Sequence, residues 1–143
     1  MLEKNEKILK ALDELNNTKV NFGVTNERNA DIGTKHEFGT ARIPARAPFK
    51  TGMLQTQENA KKLLNNNIPQ VLLGKVNAKE MFNAIGSAIT NHIIGNITSG
   101  LLKPPLSPVT IAKRKEKGKQ SASDKSPLYD TGEFQRNILH EVV

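Results

Sequence analysis

The sequence contains no cysteine and no tryptophan, and only five Phe and one Tyr among its 143 residues. Without cysteine there is no disulfide framework, no thiolate zinc site and no cysteine nucleophile. So few aromatic rings argue against a nucleic-acid module that stacks bases on several of them. Long apolar runs are missing too, and none approaches the ~18 residues that mark a membrane-spanning helix. The opening residues, Met1-Leu2-Glu3-Lys4-Asn5-Glu6-Lys7, are too charged for the apolar core of a secretory signal peptide. These absences lead us to expect a soluble protein made and used in a cytoplasm.

What is present is a polar globular composition, 36% hydrophobic and 24% charged. One domain over 1–143 is the natural division, since ~100–200 residues is a usual share of chain per domain. A chain of that size buries a core without staples. The net charge of +7 is unevenly placed. Residues 101–125 carry Lys103, Lys113, Arg114, Lys115, Lys117, Lys119 and Lys125 against Glu116 and Asp124, and residues 35–50 carry Lys35, Arg42, Arg46 and Lys50 against Glu37. The rest of the chain is close to neutral. Such segments attract phosphate backbones or acidic protein surfaces, or they serve only as solvated charge.

Hydrophobic spacing sets out the elements. Residues 2–15 place Ile8, Leu9, Leu12 and Leu15 at helical intervals, so 1–17 is read as an N-terminal helix ended by Asn16-Asn17. Val20, Phe22 and Val24 alternate with polar neighbours as in a half-buried strand. The stretch Ala30 to Phe38 fits a short helix or a second strand and the pattern does not choose. Gly39, Pro44, Pro48 and Gly52 then interrupt regular structure, while Phe38, Ile43 and Phe49 suggest a loop with buried anchors. Leu54–Leu73 reads as a helix that Pro69 should kink or split after Asn65-Asn66-Asn67.

Asn77 is a candidate N-cap for the clearest helix, Asn77–Ser99, whose stripe is Met81, Phe82, Ile85, Ala88, Ile89, Ile93 and Ile97. Gly86 and Gly95 weaken that helix by roughly 1 kcal/mol each relative to Ala, which suggests close approach of another backbone. Ser107-Pro108 begins a short basic helix, Pro108–Lys117. Residues 118–127 have a disordered composition, so 113–127 is expected to be a mobile basic loop. Asp130-Thr131-Gly132-Glu133 offers a capping box for a last helix containing Phe134, Ile138 and Leu139, and a terminal strand is an open possibility for Glu141-Val142-Val143.

The chain shows no pattern that carries catalysis. His36, His92 and His140 lie far apart and lack partners at ligand spacing, so neither a metal nor a cofactor is expected; His92, on the apolar stripe, reads as a core-edge histidine. The nucleophile elbow, the phosphate-cradling Walker loop and the dinucleotide fingerprint are all absent. The expectation is a protein that is not an enzyme.

Three phrases are more specific. The first is His36-Glu37-Phe38-Gly39-Thr40 followed by Ile43-Pro44-Ala45-Arg46-Ala47-Pro48-Phe49. The second is Leu106-Ser107-Pro108-Val109-Thr110 with Ile111-Ala112-Lys113-Arg114-Lys115, and the third is Pro127-Leu128-Tyr129-Asp130-Thr131-Gly132-Glu133-Phe134. In this order and spacing the chain resembles the small tail-completion and neck (head–tail joining) proteins of tailed bacteriophages, the tail-component or virion-morphogenesis family. The resemblance covers roughly residues 20–143. Two departures are Ala47, inserted where the family runs Arg-Pro-Phe directly, and Phe134, where the family carries Leu.

The resemblance implies a structural virion protein, assembled in the host cytoplasm. It would form a homo-oligomeric ring that completes or terminates the tail, or joins it to the neck, touching connector and tail-tube or tail-terminator proteins. In that setting Phe38, Gly39, Arg42, Arg46, Phe49, Asp130, Thr131 and Gly132 are the candidate interface residues. Phe38 and Phe49 would anchor the loop from which Arg42 and Arg46 project. Lys113, Arg114, Lys115, Lys117, Lys119 and Lys125 form the basic loop, ordering against an acidic neighbour or facing DNA in the channel. The fold expected is α+β: a small antiparallel sheet from Val20–Thr25, a strand near 30–38 and the C-terminus, with the two main amphipathic helices packed on one face and long loops between. A rival reading is a basic nucleic-acid-binding protein that uses residues 103–125 as a phosphate clamp.

Overall fold

A computed structural model describes residues 1–117, 127–128 and 132–143. Its elements run α1 (Leu2–Asn17), β1 (Val20–Val24), α2 (Glu27–Phe38), α3 (Pro48–Leu72), α4 (Ala78–Thr98), α5 (Pro108–Glu116), α6 (Glu133–Arg136) and β2 (Ile138–Val142). The fold is α+β, mostly helical with a two-stranded antiparallel sheet.

The sheet joins the two ends of the chain. Val20 pairs with Val142, Phe22 with His140 and Val24 with Ile138. The strand expected near 30–38 is instead helix α2. Asn26 caps it, its Oδ1 accepting the Asn29 N–H at 2.9 Å, and Asp31 pairs with Lys35 one turn on. Those local bonds suit a helix and leave the partner position beside β1 to the C-terminus. The last helix is correspondingly short. Asn137 closes it by donating from Nδ2 to the Glu133 carbonyl at 2.7 Å, and its own carbonyl accepts the Thr25 N–H at 3.0 Å. Ile138 and Leu139 therefore belong to β2 and not to the expected helix, and pairing with β1 buries Ile138.

Helix α3 starts at Pro48, ahead of the expected Leu54, because proline suits the first helical position where no N–H bond is lost. It runs unbroken through Pro69, so the expected split after Asn65-Asn66-Asn67 does not occur. Pro69 lies in the final turn, where its missing N–H and ring affect a single rung of the ladder. Gly74 ends the helix at φ 71°, with its N–H on the Val71 carbonyl and that of Lys75 on Gln70, both at 2.9 Å.

Helix α4 packs on the sheet, and α3 packs on α4. Two apolar clusters result. Ile93, Ile97, Leu102, Leu128, Phe134 and Ile138 form one, with Phe49 and Val24 against it. Val71, Ala78, Met81 and Ile85 form the other, with Leu15 and Leu64 against it, and Ile89 touches both. Helix α1 buries no residue fully. Gly86 makes room for the His140 imidazole, since a Cβ there would stand 2.4 Å from its Cδ2; Gly95 has nothing within 4 Å. His140 is then fixed by donating from Nε2 to Asn83 Oδ1 at 2.7 Å. His92 is exposed, not packed into the core edge, and its Nε2 lies 2.9 Å from Gln55 Oε1 on α3. No helix among the described residues is long and apolar enough to cross a membrane.

Candidate functional site

The connection between α2 and α3 is a tied loop. At Gly39 the chain leaves α2 with φ 78°, and a Cβ there would stand 2.9 Å from the Ala45 nitrogen, so a side chain is excluded twice over. Thr40 closes the tip: its N–H donates to the Ile43 carbonyl at 2.7 Å, and its hydroxyl accepts from the N–H groups of Arg42 and Ile43 at 3.2 and 3.0 Å. The His36 carbonyl then accepts from both Arg46 and Ala47, at 2.7 and 3.0 Å.

Glu37 completes the connection. Its two carboxylate oxygens accept the N–H groups of Phe49 and Lys50, each at 3.0 Å. These are orphan donors of the first turn of α3, whose own N-cap, Ala47, has no side chain to offer and sits at φ 43°. A carboxylate at this end also meets the positive pole of the helix. Ala47 is thus the left-handed turn into α3.

Arg46 does not project from the loop as expected. It is 7% exposed and turned inward. Nε donates to the Pro104 carbonyl at 2.7 Å, Nη2 to the Pro105 carbonyl at 3.3 Å, and Nη1 lies 3.2 Å from His36 Nδ1. A buried guanidinium needs such partners, and its planar fork meets three at once. Arginine only donates, so His36 Nδ1 must be an acceptor and the ring neutral. Burial of His36, with the positive charges of Arg46 and Arg114, lowers its pKa to about 4. Burial, and then the charge of Arg114, lowers that of Arg46 in turn.

Around this fork lies a cavity of about 490 Å³. The first phrase contributes His36, Ile43, Pro44 and Arg46 to its walls, with Arg42 from between its two parts; the second contributes Leu106, Ser107, Thr110 and Arg114; the third contributes Leu128, Glu133 and Phe134. Segments far apart in the chain thus meet at one place. Ser107 caps α5, its Oγ accepting the Thr110 N–H at 3.2 Å. Leu128 is buried at φ 66° and enters the first cluster beside Phe134.

The remaining expected residues divide. Phe49 packs on the core as an anchor, whereas Phe38, the last residue of α2, is 78% exposed. Gly132, buried at φ 78°, leads into α6, while Asp130 and Thr131 lie outside the described residues. Lys113, Arg114 and Lys115 belong to the last turns of α5, so the expected basic loop 113–127 is helical at its start; Ser107 and Pro108 nucleate that helix. Lys113, Lys115 and Lys117 are exposed, Arg114 is half-buried, and Lys119 and Lys125 lie outside the described residues.

Arg28 and Asn29 complete the cavity and escaped sequence reasoning. They share a face of α2 with Ile32 and His36, a spacing informative only once residues 27–38 are known to be helical. Among the described residues no group of three or more His, Asp or Glu is arranged to hold a metal. Comparison with protein-family models, curated proteins and solved structures gives no match to this chain.

Proposed function

We propose that this protein is a structural component of a tailed-bacteriophage virion, a subunit of the ring that completes the tail or joins it to the neck. The observation that carries the reading is the meeting of the three phrases around one cavity. Those phrases bear the resemblance to tail-completion and neck proteins, and the reading gains support from their forming one spatial unit. The action is assembly through protein interfaces, in the virion, without bond chemistry.

The test is electron microscopy of lysates from a producing strain that lacks only this gene. Filled heads beside separate tails of normal length are the expected result. Overlong tails would move the role to length termination, and intact infectious particles would reject the assembly reading. A second reading has one observation in its favour: Lys103, Lys113, Lys115 and Lys117 are all exposed. A phosphate clamp built on them would bind duplex DNA with a steep dependence on salt, whereas a ring subunit would bind it feebly.

A further inference from the structure

Among the described residues, the charged groups lining the cavity are mostly cationic. Arg28, Arg42, Arg46 and Arg114 face it, against Glu133 as the single carboxylate among its described lining residues. Arg28 and Arg42 form no ion pair among the described residues. Asn29 lines the same cavity at 2% exposure, and its Nδ2 donates to no acceptor. A buried donor left without a partner is costly, and an acceptor-only ligand relieves that cost. Arginine and the Asn29 amide therefore ask for the same thing, an anionic oxygen.

The walls say what carries that oxygen. Ile32, Leu106, Leu128 and Phe134 set apolar wall beside those polar groups, and the volume of about 490 Å³ suits a side chain with its flanking residues. A nucleic-acid backbone is met by groups along an open surface, whereas the Asn29 amide is 2% exposed and lies beside apolar side chains. Here the central cation, Arg46, is folded inward and already bonded to Pro104, Pro105 and His36. A protein segment that presents a carboxylate among apolar side chains fits both features.

We propose that this cavity receives the carboxylate of an acidic, partly apolar segment of a neighbouring protein subunit, with Asn29 Nδ2 and the guanidinium groups of Arg28 and Arg42 as its donors. The proposal deepens the assembly reading and rests on it only for the source of the segment. Charge-assisted bonds from a planar fork to a carboxylate supply both strength and orientation.

The experiment uses the full chain, isotope-labelled, with nuclear magnetic resonance of the Asn29 side-chain amide and the arginine Nε–H groups at low salt. The probes are acetyl-Leu-Glu-amide, its neutral counterpart acetyl-Leu-Gln-amide, and inorganic phosphate. The glutamyl probe should move the Asn29 amide saturably, and the glutaminyl probe should bind at least about tenfold more weakly. Arg42→Gln, on an exposed loop residue, should weaken the glutamyl probe by roughly three- to tenfold with an unchanged melting temperature. An Asn29 amide unmoved by the glutamyl probe at tens of millimolar, or moved equally by both peptides, overturns the proposal. Saturation by phosphate alone overturns it in favour of a phosphate site. Failure here leaves the microscopy result untouched, and infectious particles without the gene would leave the Asn29 response intact.

Discussion

Gly52 and Gly95 lie inside the two long helices α3 and α4, and the same substitution should give opposite results at the two. At Gly95 a Cβ would meet nothing within 4 Å, so Gly95→Ala should gain the helix propensity of alanine, about 1 kcal/mol. At Gly52 a Cβ would stand 2.3 Å from Ile93 Cγ1 and 3.4 Å from its Cα. Carbon contacts are optimal at about 3.5–4.0 Å, so the overlap with Cγ1 exceeds an ångström. Ile93 is fully buried and branched at the colliding atom's root, so it cannot swing aside. Overpacking of this kind costs about 1–3 kcal/mol, and the propensity gain offsets about 1 of it. Gly52→Ala should thus lose about 1 kcal/mol, a gap of about 2 kcal/mol from Gly95→Ala. With an unfolding entropy near 2.1 cal/mol/K per residue, a 143-residue chain shifts by roughly 3 °C per kcal/mol, so the two variants should melt roughly 6 °C apart. Thermal unfolding followed by circular dichroism at dilute concentration reads this directly. A Gly52→Ala protein that melts at or above wild type would refute the packing argument, and a Gly95→Ala monomer that melts lower would refute the open-face argument.

Glu37→Ala removes both acceptors at the start of α3 and should cost about 1–2 kcal/mol, with Glu37→Gln retaining part of the loss because one oxygen remains, as urea unfolding will show. His36 is held at about 4 in the folded protein against 6.5 ordinarily, so between those values the unfolded chain binds the extra proton. Stability from this residue is therefore complete above about pH 6.5 and declines as pH falls to about 4, by about 1–2 kcal/mol once solvent screening of a half-buried ring is allowed for. His36→Gln should flatten that part of the pH–stability curve, and an unchanged slope would contradict the assignment. Arg46→Lys replaces a fork serving three acceptors by one point charge, and should cost about 1–3 kcal/mol in the same unfolding assay.

Helices with a strong period and a local start signal were legible from sequence. Asn77 caps α4, with its Oδ1 accepting the Lys79 N–H at 2.8 Å, and Ser107-Pro108 opens α5 as its chemistry implies. Helix α2 was not decided because its buried face is thin: Asn29 and Gly33 are its buried residues, and neither marks a hydrophobic period. Strand β2 was hidden for a different reason. Ile138 and Leu139 sit next to each other after a capping-like tetrapeptide, and only pairing with β1, at the far end of the chain, selects the extended form. At the site, the loop phrase was visible but its direction was not. Whether Arg46 turns in or out depends on the carbonyls of Pro104 and Pro105, about 60 residues away, which no local pattern announces.

The conspicuous residues of the first phrase have internal duties. Glu37 caps α3, Gly39 admits the turn, Thr40 closes the loop, Pro48 starts a helix, and Arg46 ties the loop to the segment before α5. A buried cation bonded at each of its three nitrogens adds little net stability over an apolar substitute of the same shape, but it fixes which carbonyls sit opposite the loop. Its effect is therefore geometric, holding two walls of the cavity at a set separation. Residues so occupied are poor candidates for contacting a partner. The groups with bonding capacity left over are the less conspicuous ones: Arg28, Asn29 and Arg42, which share the cavity rim and floor without an ion pair among the described residues. Recognition should therefore respond to substitution at Arg28 and Arg42, whereas substitution at Glu37 or Arg46 should act first on stability and on recognition only through it.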